Sequence, residues 1–275
     1  MSPPRRGLAL AALLAVVGGA PAAGQSPDTA PAPEDRWVFR AAPYLWATSL
    51  DGNATVAGIE SDVDVGFEDI LKDLSFGAML LVDAQKGRIG IGVNAVFARV
   101  SPDNEVLGVE IDTTSDTFQL GVAPYYRVVE WTYGLSSSGR PLRLIVEPEA
   151  GFRFTYLRAE LEVRGGPSVD QSESWVEPLI GSRFGLDLAD SWTLAAEANV
   201  GGFGMGSDFA WNAQAFLGYQ TSIFGQPTTL ALGYRALHQD YDHNDFKWDV
   251  TMDRKPRVHF RPEWEGNPVS SFCDP

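Results

Sequence analysis

Apolar and polar residues alternate with a period of two along most of the chain from Trp37 onward. In residues 146–156, for example, Phe152 and Phe154 fall on one face of an extended segment and Arg153 falls on the other. Such alternation is typical of β-strands whose two faces meet different surroundings. Ten such segments can be read, and amphipathic helical periodicity is almost absent. The pattern therefore predicts an all-β fold.

The connections between the segments differ in length in a regular way. Very short ones follow even-numbered segments, at residues 86–87, 189–191 and 224–226. Longer acidic ones follow odd-numbered segments, at 48–74, 101–115, 164–172 and 240–245. Within the first of these, Phe67–Leu74 has apolar residues at helical spacing and predicts one or two helical turns. Short turns at one rim and long loops at the other are typical of outer-membrane barrels. We therefore predict an up-and-down antiparallel transmembrane β-barrel of about 10 strands, within a range of roughly 8–12.

The first 24 residues have the parts of a secretory signal. Arg5 and Arg6 precede the wholly apolar run Leu8–Val17, and small residues follow at 18–24. A membrane anchor is the alternative, but the apolar run is about half the roughly 20 residues that a spanning helix needs. We expect residues 1–24 to be a cleaved signal peptide and residues 25–36 a flexible lead-in, so that the protein is exported.

Composition and charge narrow the classes of function. The chain has 275 residues, 44% of them hydrophobic, and a formal net charge of −15. The acidic balance argues against nucleic-acid binding, which needs a basic face to neutralise phosphates. The single cysteine, Cys273, excludes a disulfide framework and any cysteine-rich metal site.

The face that carries the apolar residues could meet either a protein core or lipid. A soluble β-barrel or sandwich turns its apolar face inward, whereas a transmembrane barrel turns it toward lipid and keeps a polar interior. Two features favour the membrane. The polar faces carry glycine, asparagine, glutamine and isolated charges, as in a crowded lumen. Aromatic residues cluster toward strand ends, where interfacial girdles form: Trp37, Trp46, Phe97, Tyr125, Tyr126, Trp131, Tyr156, Trp175, Trp192 and Trp211.

Several short motifs resemble those of a family of poorly characterised bacterial outer-membrane β-barrel proteins. The motifs are residues 43–46 (PYLW) with Gly52, residues 67–71 (FEDIL), residues 201–204 (GGFG) with Ser207 and Asp208, and residues 232–235 (LGYR) with Tyr241. The resemblance covers most of residues 37–250. It implies location in the bacterial outer membrane, with outer-membrane lipids and the barrel-assembly machinery as partners. It implies no substrate and no oligomeric state.

The predicted interior collects charges of both signs. On the assumed alternation the lumen holds Asp83, Arg127, Glu147, Glu149, Arg153, Glu177, Arg183, Glu197 and Arg235, and a further acid, Asp187. Buried charges of opposite sign must pair to offset desolvation. We expect a charge network that largely plugs the lumen; the alternative is a narrow pore whose charges select solutes.

One cluster could carry chemistry outside the lumen. Residues 238–245 (HQDYDHND) bring His238, Asp240, Asp242 and His243 together as possible ligands or acid–base groups on a loop. An outer-membrane hydrolase acting at the external rim is therefore an alternative, and a soluble periplasmic ligand-binding β-barrel is another. No partner motif supports the cluster, so we expect a solvated loop, with no catalytic residue, no metal and no cofactor.

The C-terminal residues depart from the pattern. Outer-membrane barrels generally end on a strand with a terminal aromatic residue, whereas the residues from Asp253 onward are basic and rich in proline. Proline cannot donate to a strand ladder. We place the barrel at residues 37–260 and an atypical tail at 261–275. Either residues 258–260 close the barrel and the rest is a tail, or the natural end has been replaced, for instance by a frameshift; we hypothesise the second.

Overall fold

The computed structural model describes residues 15–16, 18–19, 36–46, 48–56, 59–101, 103–106, 109–163, 168–243 and 246–253. The all-β prediction is confirmed for these residues. The strands are β1 (Ala15–Val16), β2 (Gly18–Gly19), β3 (Trp37–Pro43), β4 (Ser49–Val56), β5 (Ile59–Val65), β6 (Leu74–Lys86), β7 (Ile89–Val100), β8 (Asp103–Val106), β9 (Val109–Tyr126), β10 (Val129–Leu135), β11 (Pro141–Val163), β12 (Ser168–Asp187), β13 (Trp192–Met205), β14 (Ser207–Ile223), β15 (Gln226–His243) and β16 (Phe246–Asp253). Helix α1 (Phe67–Asp73) forms where helical turns were predicted.

All strands belong to one antiparallel sheet. Its main path is β2-β3-β6-β7-β9-β11-β12-β13-β14-β15-β16-β4-β5, with β1, β8 and β10 paired to its sides. This path of paired strands is not closed into a barrel, and the sheet has 16 strands rather than ten. The six additional strands are β1 and β2 near the N-terminus and β4, β5, β8 and β10. The last four lie in segments for which the sequence predicts loops or no strand.

The sheet is nevertheless rolled up. β3 lies near one end of the path and β4 near the other, yet only residues 44–48 separate them along the chain. The six Cα-to-Cα steps from Pro43 to Ser49 reach at most about 22 Å, so the two ends of the sheet must lie close together. A side-chain hydrogen bond also joins Gln119 of β9 to Gln239 of β15 at 2.7 Å. The rolled sheet therefore has a concave face and a convex face.

The predicted difference in connection length between the two rims is not confirmed, because at the loop rim only residue 206 joins β13 to β14, and β16 begins at Phe246 soon after β15 ends at His243. Two residues join β6 to β7 and two join β14 to β15 at the turn rim. At the loop rim, residues 240–243 continue β15, and residues 48–65 hold β4 and β5. Here strand hydrogen bonding continues beyond the predicted ends, so polar sequence did not mark loops. The glycine-rich segment 201–204 allows a local irregularity: Gly202 and Gly204 have positive φ, and the register of β13 with β14 shifts there.

The predicted faces are confirmed on the central strands. Phe152 is 45% exposed on the convex face, and its neighbour Arg153 is 5% exposed on the concave face. Phe76, Ile91 and Leu232 are likewise exposed and convex.

The aromatic prediction is only partly right. Among the expected girdle residues, Trp37, Tyr126, Trp131 and Trp192 are exposed on the convex side, whereas Trp46, Tyr125 and Trp175 are buried. Proximity to a strand end does not decide the face; the odd or even position along the strand does.

Most of the predicted signal peptide, the lead-in before residue 36 and the tail lie outside the described residues. No helix in the described part of the chain is long and apolar enough to cross a membrane.

Candidate functional site

The concave face carries a continuous network of charged and amide side chains. From the turn rim toward the loop rim it divides into three levels. We call them the turn-end cluster (Arg40, Asp83, Tyr125, Arg127, Glu147, Arg183), the central belt (Gln119, Arg153, Thr155, Glu177, Asn199, Ser207, Gln239) and the aromatic plug (Leu157, Trp175, Tyr241, Phe246, Trp248).

Asp83 is the centre of the turn-end cluster. Arg40 Nη1 donates to its Oδ1 at 2.8 Å, and Arg183 Nη1 and the Tyr125 hydroxyl donate to its Oδ2 at 3.0 and 2.9 Å. The Arg183 guanidinium also lies over the Tyr125 ring, 4.1 Å from its centre. The register of β3 with β6 places Arg40 directly opposite Asp83. A single carboxylate thus joins three strands that are distant along the chain.

A glycine makes the turn-end cluster possible. Gly90 lies opposite Tyr125 in the register of β7 with β9. A Cβ atom at position 90 would lie 2.2 Å from the Tyr125 ring, too close for any real contact. The glycines on the polar faces therefore give large concave-face side chains room to cross to neighbouring strands.

Glu147 extends the cluster toward the turn rim. Arg127 donates to Glu147 Oε1 from Nε at 2.9 Å and from Nη2 at 2.8 Å. Glu147 is 6% exposed, so both donors act in a largely dehydrated setting.

The central belt is built on the ion pair of Arg153 and Glu177. Arg153 Nη1 lies 2.7 Å from Glu177 Oε1, and the two residues are 5% and 0% exposed. Arg153 Nη2 also donates to Asn199 Oδ1 at 2.9 Å, and the Ser207 hydroxyl donates to Glu177 Oε2. These extra hydrogen bonds are what a buried ion pair needs to offset its desolvation.

Amide side chains of the central belt form hydrogen bonds across the inside of the rolled sheet. Gln119 Nε2 donates to Gln239 Oε1, and Gln239 Nε2 donates to Thr155 Oγ1 at 3.0 Å. Gln239 and Thr155 are 0% exposed and Gln119 is 3% exposed. The belt therefore crosses the interior through side chains that are almost completely buried.

Arg235, on β15, contacts residues 44–46, which directly follow β3. Its Nη1 donates to the Tyr44 hydroxyl at 3.0 Å, and its guanidinium lies 4.4 Å from the centre of the Trp46 ring. The Tyr44 hydroxyl in turn donates to Asn94 Oδ1 at 2.8 Å. Tyr44 and Trp46 of the PYLW motif are therefore buried in the interior of the rolled sheet.

Two carboxylates have a different environment from the others. Asn199 Nδ2 donates to Glu149 Oε1 at 3.3 Å and to Glu197 Oε1 at 3.1 Å. Within the described residues, no arginine or lysine nitrogen lies within salt-bridge distance of either acid. The two acids share the Asn199 amide, and Asn212 Nδ2 also donates to Glu197 Oε1 at 3.4 Å. Both acids line the cavity described next.

A cavity of about 480 Å³ lies inside the turn half of the sheet. Its lining runs from Arg127 and Thr229 near the turn rim to Gln119, Arg153 and Asn199 of the central belt. No residue of the aromatic plug lines it. The cavity therefore ends at the belt.

The aromatic plug fills the interior beyond the belt. Trp175 and Tyr241 stack with their ring centres 4.2 Å apart and an interplanar angle of 12°. Leu157 and Phe246 pack with them, and both are buried. Large apolar rings at this level close the loop half of the sheet.

Of the ten charged residues predicted for the interior, eight line the cavity and Glu177 pairs with Arg153 in the central belt, whereas Asp187 lies near the turn rim, 3.5 Å from both Arg140 and Arg143. The structure joins six of them directly: Arg127 with Glu147, Arg153 with Glu177, and Arg183 with Asp83. Sequence reasoning missed Arg40, Gln119, Asn199 and Gln239. Their odd or even positions on their strands give the face, but nothing in the sequence gives their partners.

The predicted ligand cluster does not come together as a site. Its residues lie on β15 rather than on a loop, and Asp242 pairs with Lys247 at 2.6 Å. His238 Nδ1 lies 3.1 Å from Thr251 Oγ1 and 3.9 Å from Asp249 Oδ1. Both contacts involve the same ring nitrogen, so His238 is not placed to relay a proton between the two groups.

His243 falls on the opposite strand face from His238, since the two positions are five apart along β15. Among the described residues, no three His, Cys, Asp or Glu side chains come together as a metal site would require.

A small cap joins two connections at the turn rim. Asp190, between β12 and β13, accepts hydrogen bonds from the hydroxyls of Ser136, Ser137 and Ser138, between β10 and β11. These donors stabilise the carboxylate and hold the pKa of Asp190 well below its ordinary value.

Comparison with known proteins adds no relative to this description. Neither the protein-family models nor the curated proteins contain a match to the chain.

Proposed function

We propose that this protein is a non-catalytic outer-membrane β-barrel whose lumen is plugged. In this proposal the rolled sheet closes into a transmembrane barrel, the chain is exported through a cleaved signal peptide, and its partners are outer-membrane lipids and the barrel-assembly machinery. The observation that carries the proposal is the inversion of the two faces, with apolar side chains outside and a charge network inside.

The convex face is unsuited to water over its whole width. Val176 and Ile180 on β12 are 53% and 54% exposed, and Phe184 on the same face is 43% exposed. Monomeric soluble proteins rarely expose continuous apolar surface of this extent. Hydrocarbon removes the cost of hydrating such a surface, since burial is favourable by about 25 cal/mol per Å².

The height of the apolar band fits a membrane. On β14 the large convex-face residues run from Phe209 to Tyr219, both more than two-fifths exposed. Ten residue steps at about 3.4 Å span about 34 Å, which is about 26 Å along the membrane normal at a strand tilt of about 40°. This is close to the apolar band of about 25 Å in outer-membrane barrels.

The plugged lumen follows from the central belt and the aromatic plug. The Gln119–Gln239 hydrogen bond and the Arg153–Glu177 pair cross the interior where the cavity ends. Conduction requires a continuous polar path. A structural role, with a cavity that ends at the central belt, therefore fits better than a pore.

Membrane residence can be tested by fractionation and gel mobility. We expect the exported protein to stay with outer membranes after carbonate washing, to need detergent for extraction, and to migrate differently on gels with and without heating. Recovery of folded, monomeric protein from the periplasm without detergent would refute the proposal. Planar-bilayer recordings test the plug separately: we expect no steady conductance, and a stable single-channel step would establish the pore instead.

A further inference from the structure

The side chain of Gln214 lies in the wall of the cavity without a hydrogen-bond partner. Gln214 is 7% exposed and lines the cavity, yet its amide forms no hydrogen bond within the described part of the chain. A buried amide that lacks a partner costs free energy, and such groups are rare in native proteins. Gln214 therefore offers one acceptor and two donor hydrogens to a molecule inside the cavity.

Residues of opposite charge lie on either side of Gln214. The strand registers place it opposite Glu197 of β13 and opposite Arg235 of β15. The two charged residues are therefore two strand spacings apart, about 10 Å at the backbone. All three side chains line the cavity. One wall thus carries an anion, a neutral amide and a cation in a single row across three strands.

Arg235 has only neutral hydrogen-bond acceptors. Its Nε donates to Asn212 Oδ1 at 2.9 Å, and its Nη1 donates to the Tyr44 hydroxyl at 3.0 Å. Among the residues that the structure describes, no carboxylate oxygen lies within salt-bridge distance of this guanidinium, and its Nη2 donates no hydrogen bond. Arg235 is 5% exposed, so little water replaces the missing anion. A dehydrated guanidinium in this state favours a carboxylate partner.

The acids Glu149 and Glu197 have only neutral hydrogen-bond donors. Asn199 donates to Oε1 of both, and Asn212 donates to Oε1 of Glu197. The Oε2 atom of each acid accepts no hydrogen bond from the described residues. Glu149 is 8% exposed, so amide donors replace only part of the hydration that it loses on burial. Two neighbouring carboxylates of this kind favour a cation between them.

The balance of charge indicates the class of ligand. The residues that line the cavity, together with Glu177, which pairs with Arg153, carry five cations and five anions: Arg40, Arg127, Arg153, Arg183 and Arg235, and Asp83, Glu147, Glu149, Glu177 and Glu197. A simple cation or a simple anion would leave a net charge in a largely dehydrated interior, which is costly. A zwitterion keeps the net charge at zero and gives a partner to both kinds of unpaired group.

We propose that the cavity is a binding site for a small ω-amino acid, a zwitterion whose ammonium and carboxylate groups are separated by a short alkyl chain. The ammonium group donates to Glu149 and Glu197, and the carboxylate accepts from Arg235 and from the Gln214 amide. Because Gln214 separates the two charged sides, a spaced zwitterion fits better than an α-amino acid, whose charges are adjacent. The cavity volume of about 480 Å³ is typical of small-molecule sites, which span roughly 300–1,000 Å³. This binding activity goes beyond the structural role proposed above and does not depend on it.

Isothermal titration calorimetry of the purified full chain tests the class of ligand, with 4-aminobutyrate as the probe. Butyrate and butylammonium are the matched controls, because each keeps the four-carbon chain and only one of the two charges. We expect 4-aminobutyrate to bind at least about tenfold more tightly than either control, because it alone meets both kinds of unpaired group. Equal affinity for either control, or no saturable binding of 4-aminobutyrate at millimolar concentrations, would overturn the proposal.

Three variants locate the site. We expect Glu197→Gln and Gln214→Met each to weaken 4-aminobutyrate binding at least about tenfold, because each removes a polar partner of the ligand. Gln214→Met should not lower the thermal unfolding midpoint of the ligand-free protein, since it removes a buried amide that has no partner. It therefore keeps the test decisive if Glu197→Gln does not fold. Asp170→Asn is the matched control, because it makes the same kind of change at an exposed position outside the cavity.

Undiminished binding by Gln214→Met, or an equal loss of affinity in Asp170→Asn, would place the ligand elsewhere and refute the assigned site. The titrations need no lipid, because the cavity lies inside the rolled sheet. Their outcome and that of the fractionation experiment are therefore independent, and either can fail while the other stands.

Discussion

The ion pair of Arg153 and Glu177 gives the most direct test of the interior. We expect Arg153→Met to lower the free energy of unfolding by about 3–5 kcal/mol, because it leaves the Glu177 carboxylate buried without a cation. Glu177 is 0% exposed, and its remaining donors, the Ser207 hydroxyl and the Gln239 amide, are neutral. Glu177→Gln should lower the free energy of unfolding by a similar amount, since it leaves the Arg153 guanidinium buried without an anion.

The double variant shows whether the loss of stability comes from an unpaired buried charge or only from the removal of a large side chain. We expect Arg153→Met/Glu177→Gln to be at least about 1 kcal/mol more stable than the sum of the two single losses, because no uncompensated charge remains buried. Reversible unfolding by guanidinium in detergent micelles, followed by tryptophan fluorescence, measures all three free energies.

An exposed ion pair with the same N–O distance as the buried pair serves as a control. Arg158 and Asp170 also approach to 2.7 Å, but their side chains are 37% and 48% exposed. We expect Asp170→Asn to leave the unfolding midpoint nearly unchanged, because water screens an exposed pair. A loss below about 1 kcal/mol for Arg153→Met, or strict additivity in the double variant, would refute the buried-network reasoning.

Three further outcomes follow from the structure. Phe152→Arg should destabilise the protein in lipid by about 2–4 kcal/mol, while Leu71→Arg on helix α1 should not; equal effects on bilayer unfolding curves would contradict a lipid-facing band. In a Cys273→Ser background, a charged thiol reagent should modify Glu197→Cys, in the cavity, at least about tenfold faster than Gln239→Cys in the belt, and equal rates would mean an open path. The depressed pKa of Asp190 means that its serine cap stabilises above the ordinary aspartate pKa and is lost as the pH falls through the folded-state value. Protease sensitivity of the 136–138 turn should therefore rise on acidification, and in Asp190→Asn it should be high at every pH.

The fold class and the two faces could be predicted from sequence because alternation is local. Successive side chains of any strand point to opposite sides, whatever the strand pairs with. Phe152 and Arg153 therefore took their faces without knowledge of a partner. The same rule explains why Tyr125 and Trp175 are buried, since their position along the strand sets their face and their closeness to a strand end does not.

Strand limits could not be read from polarity. The segment around His238 was interpreted as a loop because it is acidic and rich in histidine, yet it continues β15. Backbone hydrogen bonds to β14 and β16 hold it extended, and they do not depend on side-chain polarity.

By itself, then, the sequence determined the strand-rich fold, the apolar and polar faces and the interior location of the charges. Only the tertiary structure decided which charge meets which, because the contacts of the central belt depend on register and on the rolling of the sheet. Gln119 and Gln239 are 120 residues apart along the chain, and their hydrogen bond exists only because the sheet curves until distant strands face each other.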